Sequence, residues 1–249
     1  MKILGIDTSS SNCTVAIAEI DESKKYLDNN FNLIIEKNAD DLKTHSQKLM
    51  PMIDEAFKES NLTLNDIDAI VSSIGPGSFT GIRIGIATAK AFVDSKDIKA
   101  IACTSLESLA YNEYDNKKEN TLYVSLIDAK NENTYFSMYT LNENVLEEKA
   151  TMQCDDIRVI LDIIKKDMAN INEIVFVGDG ALHYRDIIEN NLVLENTNIT
   201  FSDNNIQSAA SLIKAGFFKY INGEFGDTTI LSPLYLRKSQ AERMQDDKK

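Results

Sequence analysis

Two polar turns carry the side chains best suited to chemistry in this chain. Residues 7–10 read DTSS and residues 128–131 read DAKN, and each run follows a short apolar segment. A carboxylate next to hydroxyl groups can orient a metal-bound phosphate or an attacking water. Neither turn contains glycine, so its backbone cannot come close to a phosphate and left-handed conformations become costly. Two interpretations stay open: weak nucleotide binding by Asp7, Thr8 and Ser9, or ordinary turns whose side chains bond their own backbone.

Residues 75–93 form the most informative segment, GPGSFTGIRIGIATAKAFV. Gly77, Gly81, Gly85 and Ala89 recur at intervals of four, so a helix would align them on one face. Each interior glycine costs a helix about 0.5–1 kcal/mol relative to alanine, and a close backbone contact should offset that loss. The opposite side is apolar too, which indicates burial on more than one side. We expect one side to lie on its own sheet and the glycine side to face a second helix, which could belong to another chain.

The start of this segment superficially resembles a phosphate-binding loop. It follows an apolar strand and opens a helix, but Gly81 is followed by Ile82 and Arg83 rather than by the Lys-Ser or Lys-Thr pair of a Walker A motif. Packing is therefore the better interpretation. Ser78 is predicted to cap the helix, and Arg83 is predicted to form an ion pair at the rim of an interface.

Metal and nucleophile chemistry find little support in the sequence. His45 and His183 are the two histidines, and no HxxxH, HExxH or Cys-His spacing occurs. The three cysteines, Cys13, Cys103 and Cys154, are widely separated, which is typical of reduced thiols in a cytosolic protein. A G-x-S-x-G elbow is absent, which argues against a hydrolase. We predict no catalytic residue and no metal site in this chain.

Charge and hydropathy restrict the partners. The 249 residues include 26 Lys and Arg against 39 Asp and Glu, a net charge of −13. Such a surface opposes direct attraction to nucleic acid or to an anionic membrane. The N-terminal apolar run is too short for a signal peptide, and no apolar run is long enough to span a bilayer. We expect a soluble, cytoplasmic protein.

The order of predicted elements is repeated in the two halves of the chain. Each half is predicted to read βββαβαβα, and the polar run at residues 112–120 separates them. We expect an α/β protein with a first lobe at residues 1–111 and a second, smaller or degenerate lobe at residues 112–249, whose final segment packs back on the first. Two such lobes resemble the actin, Hsp70 and sugar-kinase superfamily, a ribonuclease H-like fold that holds a nucleotide between its lobes. The predicted strands are 3–6, 14–20, 31–36, 69–74, 99–103, 122–127, 134–139, 145–150, 173–177 and 199–201, and the predicted helices are 44–60, the glycine segment, 105–111, 155–168, 182–190 and 207–220.

Several motifs together resemble the TsaB (YeaZ) family, and the resemblance runs nearly from end to end. The segment GPGSFTGIRIGIATAK is the most specific of them. The others are DTSS at 7–10, HSQKLMPMID at 45–54, IDAKNENTYF at 127–136, VGDGA at 177–181 and LYLRK at 234–238.

The resemblance implies a non-catalytic scaffold and activator. Such a subunit binds TsaD, a larger catalytic paralogue, and with it the small ATPase TsaE. The complex transfers a threonylcarbamoyl group to N6 of adenosine 37 in tRNAs that read ANN codons. The family pattern further implies a homodimer when the subunit is alone, contact with tRNA only through the complex, and no cofactor of its own, with ATP or ADP entering only at the level of the complex. The partner interface carried over from the family comprises Leu49, Met52, Ile53, Phe57, Gly77, Thr80, Gly81, Arg83, Ile84, Gly85 and Thr88.

Two other classes of function remain as alternatives. The first is an ATP-dependent phosphotransferase or ATPase of the same fold that would use Asp7 to orient a metal ion or a water. The second, more remote, is a peptidase, for which the sequence offers no recognisable nucleophile with its base.

Overall fold

A computed structural model describes residues 1–39, 45–130, 132–167 and 171–236. In the first half, five strands form a mixed sheet in the order β3-β2-β1-β4-β5. β1 pairs antiparallel with β2 and parallel with β4. The strands are β1 (Lys2–Asp7), β2 (Cys13–Ile20), β3 (Phe31–Ala39), β4 (Ala69–Ser73) and β5 (Lys99–Cys103), and the helices are α1 (His45–Ser60), α2 (Phe79–Lys96) and α3 (Ser105–Ala110).

A second five-stranded sheet follows, in the order β10-β9-β6-β7-β8. One helix expected at residues 182–190 is two short helices, and the strand expected to end at residue 150 continues to Asp156. The strands are β6 (Thr121–Asp128), β7 (Asn133–Asn142), β8 (Val145–Asp156), β9 (Glu173–Val177) and β10 (Asn198–Phe201), and the helices are α4 (Ile157–Asp167), α5 (Asp179–His183), α6 (Arg185–Asn191) and α7 (Ala209–Ile221).

The two sheets have the same topology. In each, the first strand of the half lies at the centre, with an antiparallel neighbour on one side and a parallel neighbour on the other. This repetition confirms the predicted two-lobe α/β fold with duplicated halves. The expected helix start at Thr44 and the chain beyond residue 236 lie outside the described residues.

The alternation of side chains along β1 divides the core of the first sheet. Leu4 and Ile6 pack beneath α1 and α2 on one face. Ile3 points to the other face, where it joins a cluster that includes Phe217 of α7 and Tyr123 of the second sheet. Thus α7, which follows the second sheet in sequence, packs on the first sheet, and a shared core joins the two halves.

The segment after α7 also returns to the first sheet. Gly226 forms a bridge with Ala100 at the β5 edge, and the Leu231 side chain is fully buried. The main-chain N–H of Leu234 donates a 2.8 Å hydrogen bond to the carbonyl oxygen of Ile74, just before α2. Within the described ranges, no helix combines the length and apolar character that crossing a membrane requires.

Candidate partner surface and interlobe cleft

The glycine face of α2 packs against the turn between β1 and β2. An ideal Cβ at Gly81 would lie 1.9 Å from the main-chain oxygen of Thr8, and one at Gly85 would lie 2.4 Å from Oγ1 of the same residue. The Thr8 hydroxyl donates a 2.7 Å hydrogen bond to the carbonyl oxygen of Gly81. The glycines therefore serve a close backbone approach, as the sequence predicts, but the approaching group belongs to the same chain.

The first turn of α2 is fixed in the same way. The main-chain N–H of Ser78 donates a 2.6 Å hydrogen bond to the carbonyl oxygen of Ser9, and a Cβ at Gly77 would lie 2.1 Å from that oxygen. The Ser78 hydroxyl caps the helix by accepting from the N–H of Gly81, as expected. The prediction that a second helix lies against the glycine face is wrong, because the chain's own turn already fills that space.

The outward face of α1 and α2 is a different surface, which we call the outer face. Three of the residues assigned to the interface, Leu49, Met52 and Ile53, point into the core below α1. Gly81 and Gly85 lie on the buried side of α2, against the turn between β1 and β2. The assigned residues that remain exposed or half-buried on the outer face are Phe57, Thr80, Arg83, Ile84 and Thr88.

Residues that the sequence analysis missed complete the outer face. Met50 is 49% exposed and Phe79 is 37% exposed, and the small side chains of Ala87 and Ala91 are also exposed. A groove of about 430 Å³ runs between α1 and Phe92 of α2. The spacing of four between Ala87 and Ala91 was the available signal, but it was masked by the stronger glycine repeat on the neighbouring side of the helix.

A cleft of about 570 Å³ lies between the two lobes, and residues of both polar turns line it. Ser9 and Ser10 line it from the first lobe, whereas Asp128, Lys130 and Asp179 line it from the second. Of the three residues considered for nucleotide binding, Ser9 lines this cleft, whereas Asp7 and Thr8 are not among the lining residues and the Thr8 hydroxyl is bonded to Gly81. Asn131 lies outside the described residues.

Asp7 lies beneath the first-lobe wall and is fully buried. Its Oδ1 accepts a 2.8 Å hydrogen bond from the main-chain N–H of Ser9, while Oδ2 has no partner in hydrogen-bonding geometry among the described residues. Burial raises the pKa of Asp7 to about 6, although the hydrogen bond from Ser9 opposes the shift. Because Asp7 already binds the N–H of Ser9, that donor is not offered to a phosphate.

The carboxylate of the second turn also binds its own backbone. Asp128 accepts a 2.8 Å hydrogen bond from the main-chain N–H of Lys130 and pairs with its Nζ at 2.6 Å. Burial opposes ionisation of Asp128, but these bonds from Lys130 lower its pKa. Asp179 accepts from the main-chain N–H of Asp128 at 3.1 Å, and burial raises the pKa of Asp179. Both turns therefore have the side-chain-to-backbone geometry of ordinary Asx turns.

The two histidines lie apart. Nε2 of His45 is 2.9 Å from the carbonyl oxygen of Ser10 at the cleft wall, and the His183 ring packs edge-on against Tyr184. Within the described part of the chain, no three His, Cys, Asp or Glu side chains are placed to hold a metal ion together.

Comparisons with known proteins identify the family. The family model TsaD, tRNA N6-adenosine threonylcarbamoyltransferase, matches residues 38–244. The tRNA threonylcarbamoyladenosine biosynthesis protein TsaB of Bacillus subtilis is 30% identical over 243 residues, covering 97% of this chain and 96% of that protein. Its Haemophilus influenzae counterpart is 28% identical, covering 95% and 94%. YeaZ from Pseudomonas aeruginosa has the same fold, with a TM-score of 0.76 at 22% identity, covering 94% of this chain and 99% of that structure. The chain therefore belongs to the TsaB family of tRNA threonylcarbamoyladenosine biosynthesis proteins.

Proposed function

We propose that this protein is a non-catalytic scaffold and activator in the synthesis of threonylcarbamoyladenosine. It binds the catalytic paralogue TsaD, and with it the ATPase TsaE, in the cytoplasm. The complex transfers the threonylcarbamoyl group to N6 of adenosine 37 in ANN-decoding tRNAs. The observation that carries the proposal is the apolar outer face of α1 and α2, on a member of the TsaB family.

The composition of the outer face suits a helical partner. Exposed Met50 and half-buried Phe57 and Phe92 supply apolar area, and contiguous apolar patches on soluble proteins mark sites of association. Ala87 and Ala91 present almost no side chain, so the axis of a second helix can approach α2 closely. When TsaD is absent, a second copy of this chain can cover the same face in a two-fold dimer.

The cleft supports a role without chemistry of its own. The carboxylates of Asp7 and Asp128 bind the backbone of their own turns. The net charge of −13 disfavours direct contact with tRNA, so we assign RNA binding and the transfer reaction to the rest of the complex. Any ATP or ADP is expected to act in the assembled complex rather than as a cofactor of the isolated chain.

A single charged residue on the outer face tests the proposal. Ala87→Glu places a carboxylate at an exposed helix position, so the fold should be retained while binding to TsaD from the same genome is lost. The matched control is Val193→Glu, which makes a similar change at an apolar residue that is 80% exposed in the second half. Affinity is measured by titration calorimetry. The modification of tRNA is measured in an assay with the reconstituted complex. Wild-type affinity in Ala87→Glu, or no binding by the wild type, contradicts the proposal.

A further inference from the structure

Two aromatic rings and an arginine form an ordered cluster where the C-terminal segment crosses the start of α2. The rings of Phe79 and Tyr235 stack with their centroids 4.4 Å apart. The guanidinium carbon of Arg83 lies 4.0 Å from the centre of the Phe79 ring, and its Nε donates a 2.7 Å hydrogen bond to the Tyr235 hydroxyl. All three side chains are nevertheless exposed.

Arg83 differs from the other arginines in the described ranges. Arg158 contacts Glu132 and Asp156, and Arg185 contacts Glu189 at 2.9 Å. Among the described residues no carboxylate lies within ion-pair distance of Arg83, although acidic residues outnumber basic ones by 39 to 26 in the sequence. Nε donates its hydrogen bond to Tyr235, which leaves the two terminal nitrogens of Arg83 able to donate to both oxygens of a carboxylate.

We propose that this cluster anchors a carboxylate side chain of the partner protein. The carboxylate pairs with the terminal nitrogens of Arg83, and an apolar side chain beside it packs on the rings of Phe79 and Tyr235. The inference rests on the proposed function, because Phe79 and Arg83 belong to the outer face. The partner must then present a carboxylate beside an apolar side chain, and the C-terminal segment becomes part of the binding surface.

The C-terminal segment holds the anchor in place before any partner arrives. Leu231 is buried and the N–H of Leu234 is hydrogen-bonded to Ile74, so the backbone that leads to Tyr235 is fixed to the first sheet. An arginine that is already ordered loses little conformational entropy on binding. Arginine and tyrosine are also among the residues that contribute most at protein interfaces.

The test measures affinity for TsaD from the same genome at several salt concentrations. Arg83→Gln is expected to weaken binding about 10-fold or more at low salt and to flatten its salt dependence. Tyr235→Phe keeps the ring and removes only the hydrogen bond, so it should weaken binding by a smaller factor. The matched control is Arg185→Gln, since Arg185 is also exposed and lies 4.6 Å from the Phe201 ring but has its own carboxylate. This control should bind as the wild type does.

A charge swap identifies the carboxylate. Binding by Arg83→Glu should be restored by one Asp or Glu to Lys substitution on the partner, and thermal melting shows that each variant is folded. Wild-type binding that persists within twofold in Arg83→Gln overturns the anchor and leaves the proposed function intact. Absence of binding by the wild type overturns both. If the effect of Arg83→Gln disappears in a chain that also carries E242Q, D246N and D247N, the chain's own tail is the occupant and the anchor proposal is wrong.

Discussion

The carbonyl oxygen of Thr8 occupies the position at which a side chain at residue 81 would begin. A Cβ at Gly81 would lie 1.9 Å from that oxygen, and the Thr8 hydroxyl bonds to the carbonyl oxygen of Gly81. The turn between β1 and β2 and the helix α2 are thus a single packed unit. We therefore expect a substitution at Thr8 or Gly81 to lower the stability of the fold, and to affect partner binding only through that loss.

Gly81→Ala should destabilise the protein. Alanine gains about 1 kcal/mol over glycine in a helix, but forcing a methyl group against backbone costs about 3 kcal/mol, so we expect a net loss of about 2 kcal/mol. In a protein of this size that loss lowers the melting temperature by about 4–8 °C. Ala87→Ser, at an exposed position of the same helix, should change stability by less than about 0.5 kcal/mol. Equal melting temperatures for the two variants would show that the glycine contact is not tight.

The substitution Thr8→Ala should change the cost of Gly85→Ala but not the cost of Gly81→Ala. The group nearest to a Cβ at Gly85 is Oγ1 of Thr8, a side-chain atom, whereas Gly81 meets main chain. Thr8→Ala removes Oγ1, so it should relieve part of the cost of Gly85→Ala and none of the cost of Gly81→Ala. Double-mutant cycles from denaturant unfolding measure both couplings, and we expect about 1 kcal/mol of relief for the first and no relief for the second, where Thr8→Ala only removes the hydrogen bond to Gly81. Equal couplings would contradict this geometry.

Asp7 should make the protein less stable as the pH rises. Its pKa is about 6 in the folded protein and 3.8 in the reference state, so between these values the folded state holds the proton more tightly and stability falls with increasing pH. Asp7→Asn keeps an oxygen for the Ser9 N–H and removes the charge. At pH 7.5 we expect this variant to be more stable than the wild type, by about 3 kcal/mol at most, and at pH 4 the gain should vanish.

A carboxylate with the opposite shift provides the control for Asp7. Hydrogen bonds from Thr63 lower the pKa of Asp66, so its charged form stabilises the folded state above the ordinary pKa. Asp66→Asn should therefore lose stability at pH 7.5 and not at low pH. Urea unfolding at both pH values measures the two variants side by side. If Asp7→Asn raised the free energy of unfolding by the same amount at pH 4 and at pH 7.5, ionisation of Asp7 would not be the cause of the gain.

Glu36 should stabilise the start of α7 on the first sheet. Its Oε1 accepts hydrogen bonds from the main-chain N–H of Ala210 at 3.0 Å and from the hydroxyl of Ser208 at 2.8 Å. Glu36→Gln keeps an acceptor but removes the negative charge at a helix N-terminus, and we expect a loss of about 1 kcal/mol in unfolding experiments. Glu19→Gln, which removes an exposed pair with Lys2, is the control and should change stability by less than about 0.5 kcal/mol.

The isolated chain should not hydrolyse ATP. The N–H of Ser9 is bound to Asp7, and Asp128 is bound to Lys130, so the backbone donor of the first turn and the carboxylate of the second are already engaged within their own turns. The measurement compares phosphate release by the wild type and by Asp7→Ala under the same conditions. Hydrolysis above background that disappears in Asp7→Ala would favour the phosphotransferase alternative.

The local pattern of apolar and small residues was enough to predict most strands and helices and the repetition of their order in the two halves. The strand at Ala69–Ser73 and the glycine helix follow from apolar runs and small-residue spacing, which are properties of neighbouring residues. The sequence also predicted that Gly81 and Gly85 permit a close contact. It could not predict which atoms make that contact, because Thr8 is more than seventy positions away and its approach depends on how β1 pairs with β4.

The sequence by itself determined the duplicated fold, the absence of familiar catalytic motifs, the acidic charge and the resemblance to the family, because each depends on residue type and local spacing. Only the tertiary structure decided which side of α2 faces solvent, that Asp7 is buried beneath the cleft, and that Tyr235 reaches Arg83. These features depend on contacts between distant parts of the chain, and such contacts form only when the two sheets and α7 pack together.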